Sequence, residues 1–584
     1  MSVAIALHCL YVLVYTILFM STIDWIVLFL TLLLIVVYGM YKSRGIKNID
    51  GYIVGNRELP WYTVGLSVMA TQASAITFLS APGLAYSQGM SFVQFYFGLP
   101  LAMIVLCITF VPIFHKLKVY TAYEFLEKRF DVKTRALTAI LFLIQRGVST
   151  GITIFAPSII LSTILHLDVT YTTLIIGLIV IFYTVWGGTK AVSYTQLLQM
   201  GIIFTALLVA GVMVVKLLPE NIGFSEALHI AGKSGKTNAI DWNFDLNNQY
   251  TIWTGLIGGF FLQLSYFGTD QSQVGRYLTG SSVRDSRIGL LMNGLLKVPM
   301  QFCILLIGVL VFAYYQFHTA PLFFNNVEVS KIEQSIYHDE YKSIMQRHEA
   351  ISQEKSIVSQ ELAKALQQKD ETGIDLARTA LQTKNEEDKA LRKEVEVLLK
   401  KNNPDAELND NNYIFLSFVT STFPKGLIGL LIAVIFLASM GATASAINSL
   451  SSTTVVDIYK RFIHKTGSER SDLNASRIFT LFWGIITLLV ALYASQLGNL
   501  LEAVNILGSL FYGTILGIFI VAFYFKKIGG RAVFIAAILS ELIVFAVWHM
   551  DWLAYLWLNL VGCVAVIVLG YAVQFSVGKK ANKE

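Results

Sequence analysis

The sequence predicts an all-α polytopic membrane protein with about 13 transmembrane helices, arranged as a five-plus-five inverted repeat. Three observations predict it. Hydrophobic residues make up 55% of the 584 and charged residues only 14%, a polytopic composition. Apolar runs long enough to cross a bilayer recur along the whole chain. Two of these runs, at corresponding places in two halves, are interrupted by small and polar residues, which points to discontinuous transporter helices and a site between the repeats.

Residues 1–20 are apolar with no Lys or Arg ahead of them, unlike a secretory signal. They read as an extra, fourteenth helix or as a start-site artefact, because Met20 opens the next span naturally. Spans follow near 23–41, 61–88, 92–114, 135–165, 170–187, 195–218, 250–270, 288–317, 413–447, 474–495, 500–525, 531–549 and 552–575. Segment 21–60 holds a peripheral first helix and its loop. The first repeat is 61–218, an outer loop is 219–249, and the second repeat is 250–525. Peripheral helices and a tail fill 526–584. The basic stretches KSRGIK, LEKRFDVKTR, YKRFIHK, FKKIGGR and GKKANKE fall on alternate loops, so the positive-inside rule makes those loops and the C-terminus cytoplasmic.

The same alternation puts residues 318–412 outside. This insert carries much of the chain's charge among good helix formers, with apolar residues at three- and four-residue steps (Ile332, Ile336; Ile344, Ile351; Leu362, Leu366; Leu391, Val395, Leu398). Gly373 divides it and Pro404 ends it, giving an extracytoplasmic antiparallel helical hairpin. It is either a solvated spacer or, over 327–402, a docking surface for a protein partner.

The first interrupted span is Trp61–Gly89, with Thr71, Gln72, Ser74 and Thr77 at its centre and Pro82 and Gly83 after them. Irregular backbone at membrane depth survives only against protein or a wet cavity. The second is 250–270, interrupted by Gly255, Gly258, Gly259 and Gly268, with Gln263, Ser265 and Tyr266 at mid-depth. The charge balance of +6 sits on short loops and gives no reason to expect nucleic acid. Cys9, Cys107, Cys303 and Cys563 lie in apolar runs, without metal or disulfide spacing. Paired carboxylates, a catalytic loop histidine and a nucleotide motif are all missing, so no enzyme is expected. No Asn-x-Ser/Thr sequon falls on a segment placed outside, which favours a bacterial inner membrane.

The stretches GYIVGNRELPWYTVGLS (51–67), YTAYEFLEKRF (120–130), YTVWGGTKAVSYTQLLQ (183–199), GTDQSQVGRYL (268–278) and INSLSSTTVVDIYKRF (447–462) resemble the sodium:solute symporter family over nearly all of 21–575 except the insert. The family includes transporters of glucose, sialic acid, iodide, monocarboxylates, vitamins and proline. The resemblance implies alternating access and sodium-driven uptake of a small solute, here a sugar or small organic anion. It places Gln72, Thr77, Gln263, Tyr266, Phe267, Lys297 and Asn505 at the solute. The family's acidic sugar ligand falls near Tyr96, leaving Gln94 as the nearest substitute. For a coupling sodium ion the resemblance supplies the backbone carbonyls of Ala70, Ala73 and Ala438. The two family hydroxyls, however, are here Gly441 and Ala442, with Thr443 and Ser445 as nearby substitutes, and the family acid of the WTD motif is Gln196. Sodium coupling is therefore expected to be weakened, rerouted or absent. A sodium-independent or proton-coupled carrier and a membrane solute sensor are the alternatives.

Overall fold

Within a bilayer each backbone N–H and C=O needs a partner inside the protein, and the apolar runs meet that need as helices. The computed structural model describes residues 20–43, 49–165, 167–464, 469–497 and 499–581; residues 1–19, read above as an optional helix, lie outside it. Among the described residues, β pairing is limited to a parallel bridge between Leu59 and Gly280. Among the described residues, ten helices are long and apolar enough to cross a membrane, eleven when one bent pair is counted as a span. The protein is a multi-pass membrane protein.

The principal helices are α1 (Thr22–Ser43), the bent pair α2 (Trp61–Gln72) and α3 (Ala75–Gln88), α4 (Met90–Leu117), α5 (Val132–Leu165) and α6 (Val169–Lys216). The second half brings α7 (Gly259–Thr269), α8 (Gln271–Tyr277) and α9 (Val283–Phe317). After the hairpin helices α10 (His338–Gln368) and α11 (Glu371–Asn402) come α12 (Asn411–Thr422), α13 (Leu427–Thr453), α14 (Glu469–Ala491), α15 (Leu500–Tyr524), α16 (Gly530–His549) and α17 (Tyr555–Ala581).

Four expectations are corrected. The spans at 170–187 and 195–218 lie on one 48-residue helix, α6; helical hydrogen bonding continues through Gly187 and Gly188, and two apolar stretches, Val169–Phe182 and Val192–Lys216, remain within it. The span at 413–447 is divided at Pro424 and Gly426, where a φ of 88° suits glycine. Gly255 and Gly258 do not break the second interrupted span but sit in a π-helical turn, Thr254–Gly258; the chain leaves the helix later, at extended Asp270. The hairpin turns at Lys369, in the left-handed region, and Gly373 lies inside α11.

Small residues let the helices approach closely. A Cβ at Gly83 would overlap the Asn411 carbonyl, one at Gly308 the Pro82 carbonyl and one at Gly255 the Gln94 carbonyl. The hairpin has a core of its own. Leu391, Val395, Leu398 and Leu399 pack with Tyr341, Ile344, Leu322 and Phe323 in their own buried cluster, while Ile336 is left exposed. His348 is buried between Asp388 (Nδ1–Oδ1 2.7 Å) and the Ala320 carbonyl (2.8 Å), and Lys355 reaches the other Asp388 oxygen at 3.0 Å. Burial pushes the Asp388 carboxyl up, but the His348 bond and the Lys355 and Arg392 charges outweigh it and hold the group well below the usual range. Arg392 donates to the Pro321 carbonyl (2.8 Å) and lies 3.6 Å from Asp410. These contacts fasten the hairpin to the ends of α9 and α12.

Gly83→Ala should cost about 1–3 kcal/mol through the Asn411 clash. Gly201→Ala, with open space around its Cβ, should be neutral or stabilising by at most about 1 kcal/mol. Equal melting temperatures for the two variants in detergent would remove this account of the packing. A second prediction concerns Glu407, which accepts from the Tyr413 hydroxyl at 2.7 Å and is pushed by burial from 4.5 to about 7. A carboxyl raised in the folded state binds more protons there than when unfolded, so stability falls as pH rises from 4.5 to 7. The loss is at most about 3 kcal/mol, and Glu407→Gln should flatten that part of the melting-temperature profile.

Candidate functional site

A helix that stops in mid-membrane leaves carbonyls and N–H groups without helical partners, so the break itself fixes where polar chemistry can occur. The bend between α2 and α3 is 59°. Ala73 leaves the helical region (φ −85°, ψ 83°) and Ser74 is extended (φ −86°, ψ 175°), whereas Pro82 and Gly83 stay inside α3. Small Ala73 and Ser74 carry no bulk to resist this.

A cavity of about 80 Å³ lies against the break, lined among others by Gln72, Ser74, Thr77, Tyr96, Arg146, Tyr266, Asn505 and Tyr512. Of the eight solute residues expected from sequence, it brings together Gln72, Thr77, Tyr266 and Asn505. Gln263 stands behind Gln72, accepting from its Nε2 at 3.3 Å. The Gln72 amide oxygen and the Gln263 amide nitrogen are buried without partners. Gln94 is turned away: it donates to the Tyr250 carbonyl (2.7 Å) and accepts from the Asp241 N–H (3.0 Å), holding the Met90–Tyr96 turn to the 219–249 loop. Phe267 packs edge-on against Tyr266 outside the lining. Lys297 is fully buried, its Nζ 5.8 Å from the Tyr96 ring centroid and without a hydrogen-bond partner.

Arg146 was not among the residues expected. It is a charged residue in the middle of an apolar span, the strongest sequence signal for an intramembrane site. Its Nη1 lies 3.7 Å from Asp270 Oδ2, its guanidinium carbon 5.8 Å from the Tyr266 ring centroid, and its Nε is buried without a partner. Asp270 is itself held by the Tyr512 hydroxyl (2.8 Å) and by the Ser272 N–H and hydroxyl at the start of α8. Gln273 donates to the Tyr266 hydroxyl at 2.8 Å. The cavity thus holds one partly neutralised cation, amides with spare capacity, a threonine hydroxyl and several aromatic rings. That set can grip a carboxylate and hydroxyls; it contains no nucleophile–base pair.

The expected sodium ligands lie on the other side of the break. Ala70 and Ala73 sit at the end of α2, and Ala438 lies on α13, which packs beside it. Ser445 meets Thr71 across this contact at 3.2 Å, because it is one turn on from Gly441 and shares its face. Thr443 is buried, its hydroxyl without a partner. Gly441 and Ala442 supply no side-chain oxygen. A hard cation takes about six oxygens, and this set is short of them: the Ser445 hydroxyl is already engaged by Thr71 and Gln196.

The pattern of the sodium:solute symporter family matches residues 52–358 and 402–540. The chain is 33% identical over 277 residues to the sodium/iodide cotransporter of Homo sapiens, covering 46% of this chain and 42% of that protein, so it spans less than half that relative's length. It is 24% identical over 558 residues to the sodium/sialic acid symporter SiaT of Proteus mirabilis, 94% of each chain. A solved structure described as the substrate-bound outward-open state of a Na+-coupled sialic acid symporter superimposes with a TM-score of 0.73 at 22% identity, over 95% of this chain and 98% of that one; it shares the fold.

Proposed function

The chain belongs to the sodium:solute symporter family, and we propose that it is a secondary transporter moving a small organic anion through the Arg146 cavity by alternating access. The single observation that carries the choice of an anion is Arg146, a buried guanidinium facing the cavity with its Nε unpartnered. Asp270 compensates it only across 3.7 Å. A carboxylate arriving at this group gains charge-assisted, fork-shaped hydrogen bonds. Gln72, Thr77 and Asn505 stand ready for the solute's remaining oxygens, and Tyr266 and Tyr512 for its apolar faces. Relatives named for sialic acid, monocarboxylates and iodide all carry anions, which supports the reading. The basic short loops support a cytoplasmic C-terminus with the hairpin on the opposite face.

Proteoliposome uptake of labelled sialic acid, lactate, iodide and glucose tests it. An anion should be taken up and glucose should not. Losing a charge-assisted contact is worth about tenfold to a hundredfold, so Arg146→Gln should raise the half-saturating anion concentration by that factor while Arg146→Lys loses less. Uptake of glucose alone, indifferent to Arg146→Gln, would sink the proposal.

A further inference from the structure

At the junction of α2, α6 and α13 three oxygens converge on one side-chain nitrogen. Gln196, fully buried on α6, places its Nε2 3.2 Å from Thr71 Oγ1, 3.2 Å from the Gly441 carbonyl and 3.2 Å from Ser445 Oγ. Its Oε1 accepts from Ser67 Oγ at 2.6 Å. A carbonyl can only accept, so Gly441 fixes which end of the amide is nitrogen. The Thr71 hydroxyl donates to the Ser67 carbonyl at 2.8 Å, which leaves its lone pairs turned to the amide. Oxygens from two helices converging on one electropositive centre are what a bound cation would require; here N–H groups take that place.

The glycine also makes room for a second buried glutamine, Gln199. A Cβ at Gly441 would lie 2.5 Å from Gln199 Oε1 and 3.5 Å from Gln196 Cγ, so a side chain there must displace the buried Gln199 amide, while Gln196 stays in ordinary contact. Gln196, Gln199 and Gly441 form one matched set. Ala442 adds no oxygen, and Thr443 lies on the opposite face of α13 from Gly441, two residues away in a helix with 3.6 residues per turn.

Resting on the transport reading above, we propose that the Gln196 amide is a built-in replacement for a coupling sodium ion at this junction, and that the protein neither binds nor requires sodium. The amide makes between α2, α6 and α13 the bonds that an ion would make, and it does so in every state of the cycle in which those helices meet.

The test is thermal unfolding of the purified full chain, followed by tryptophan fluorescence, with potassium chloride replaced stepwise by sodium chloride at constant ionic strength. The wild type should show one melting temperature across the series. Gln196→Ala should melt several degrees lower in both salts alike, because three oxygens and the Ser67 hydroxyl lose their partner. Gln196→Asp combined with Gly441→Ser and Ala442→Ser should gain a saturable, sodium-specific rise. A saturable sodium-specific rise in the wild type, or an unchanged melting temperature in Gln196→Ala, overturns the proposal, and neither result depends on whether the triple variant folds. Uptake that requires sodium would leave transport standing and overturn the replacement. Flat sodium melting curves with no uptake of any anion would do the reverse.

Discussion

A helix interrupted in the middle of a membrane must find partners for its freed backbone groups inside the protein, and the break at Ala73–Ser74 organises everything around it. On one side of it lies the cavity with Gln72, Thr77 and Arg146; on the other lies the contact with α13 through Thr71 and Ser445. One local departure from helical geometry therefore borders both the proposed solute cavity and the contact that joins the helices. The second interrupted helix contributes differently: its break at Asp270 supplies a carboxylate and a helix start that hold Arg146 and Tyr512 in place.

Most of the fold was legible in the sequence because bilayer physics leaves few options. Apolar length, polar interruption and loop charge are each read from composition. What the sequence could not show was where irregular backbone falls within an apolar run. Glycines at 255 and 258 looked like a break, yet in the π turn Gly255 lies against the Gln94 carbonyl and Gly258 against the Leu556 carbonyl of α17. Gly373 looked like a turn, yet Lys369 takes the left-handed position. In both cases close packing and turning demand the same residue, and only tertiary contacts separate the two uses.

The site was legible in part for a similar reason. Family resemblance named Gln72, Thr77, Tyr266 and Asn505, which the structure gathers at the cavity, and also Gln94, which it commits to holding a loop. Arg146 carries a plain signal but lies on α5, an uninterrupted helix, away from the polar breaks that mark the site in the sequence. Gln196 and Gly441 both stood out as departures from the family pattern, but the hydrogen bond that joins them across 245 residues of sequence exists only when the helices are side by side.

The Gln196 amide has a thermodynamic meaning as well as a structural one. An ion that enters from one compartment and leaves into the other dissipates a gradient, and each elementary charge crossing about 100 mV releases about 2.3 kcal/mol that can be spent on accumulating solute. A side chain never leaves. It returns to its starting compartment with every turnover and lets no stored gradient run down, so it does no work. On the replacement proposed above, the hydrogen bonds that take the ion's place can hold helices together, but they carry no charge across the membrane and add nothing that would drive solute uphill.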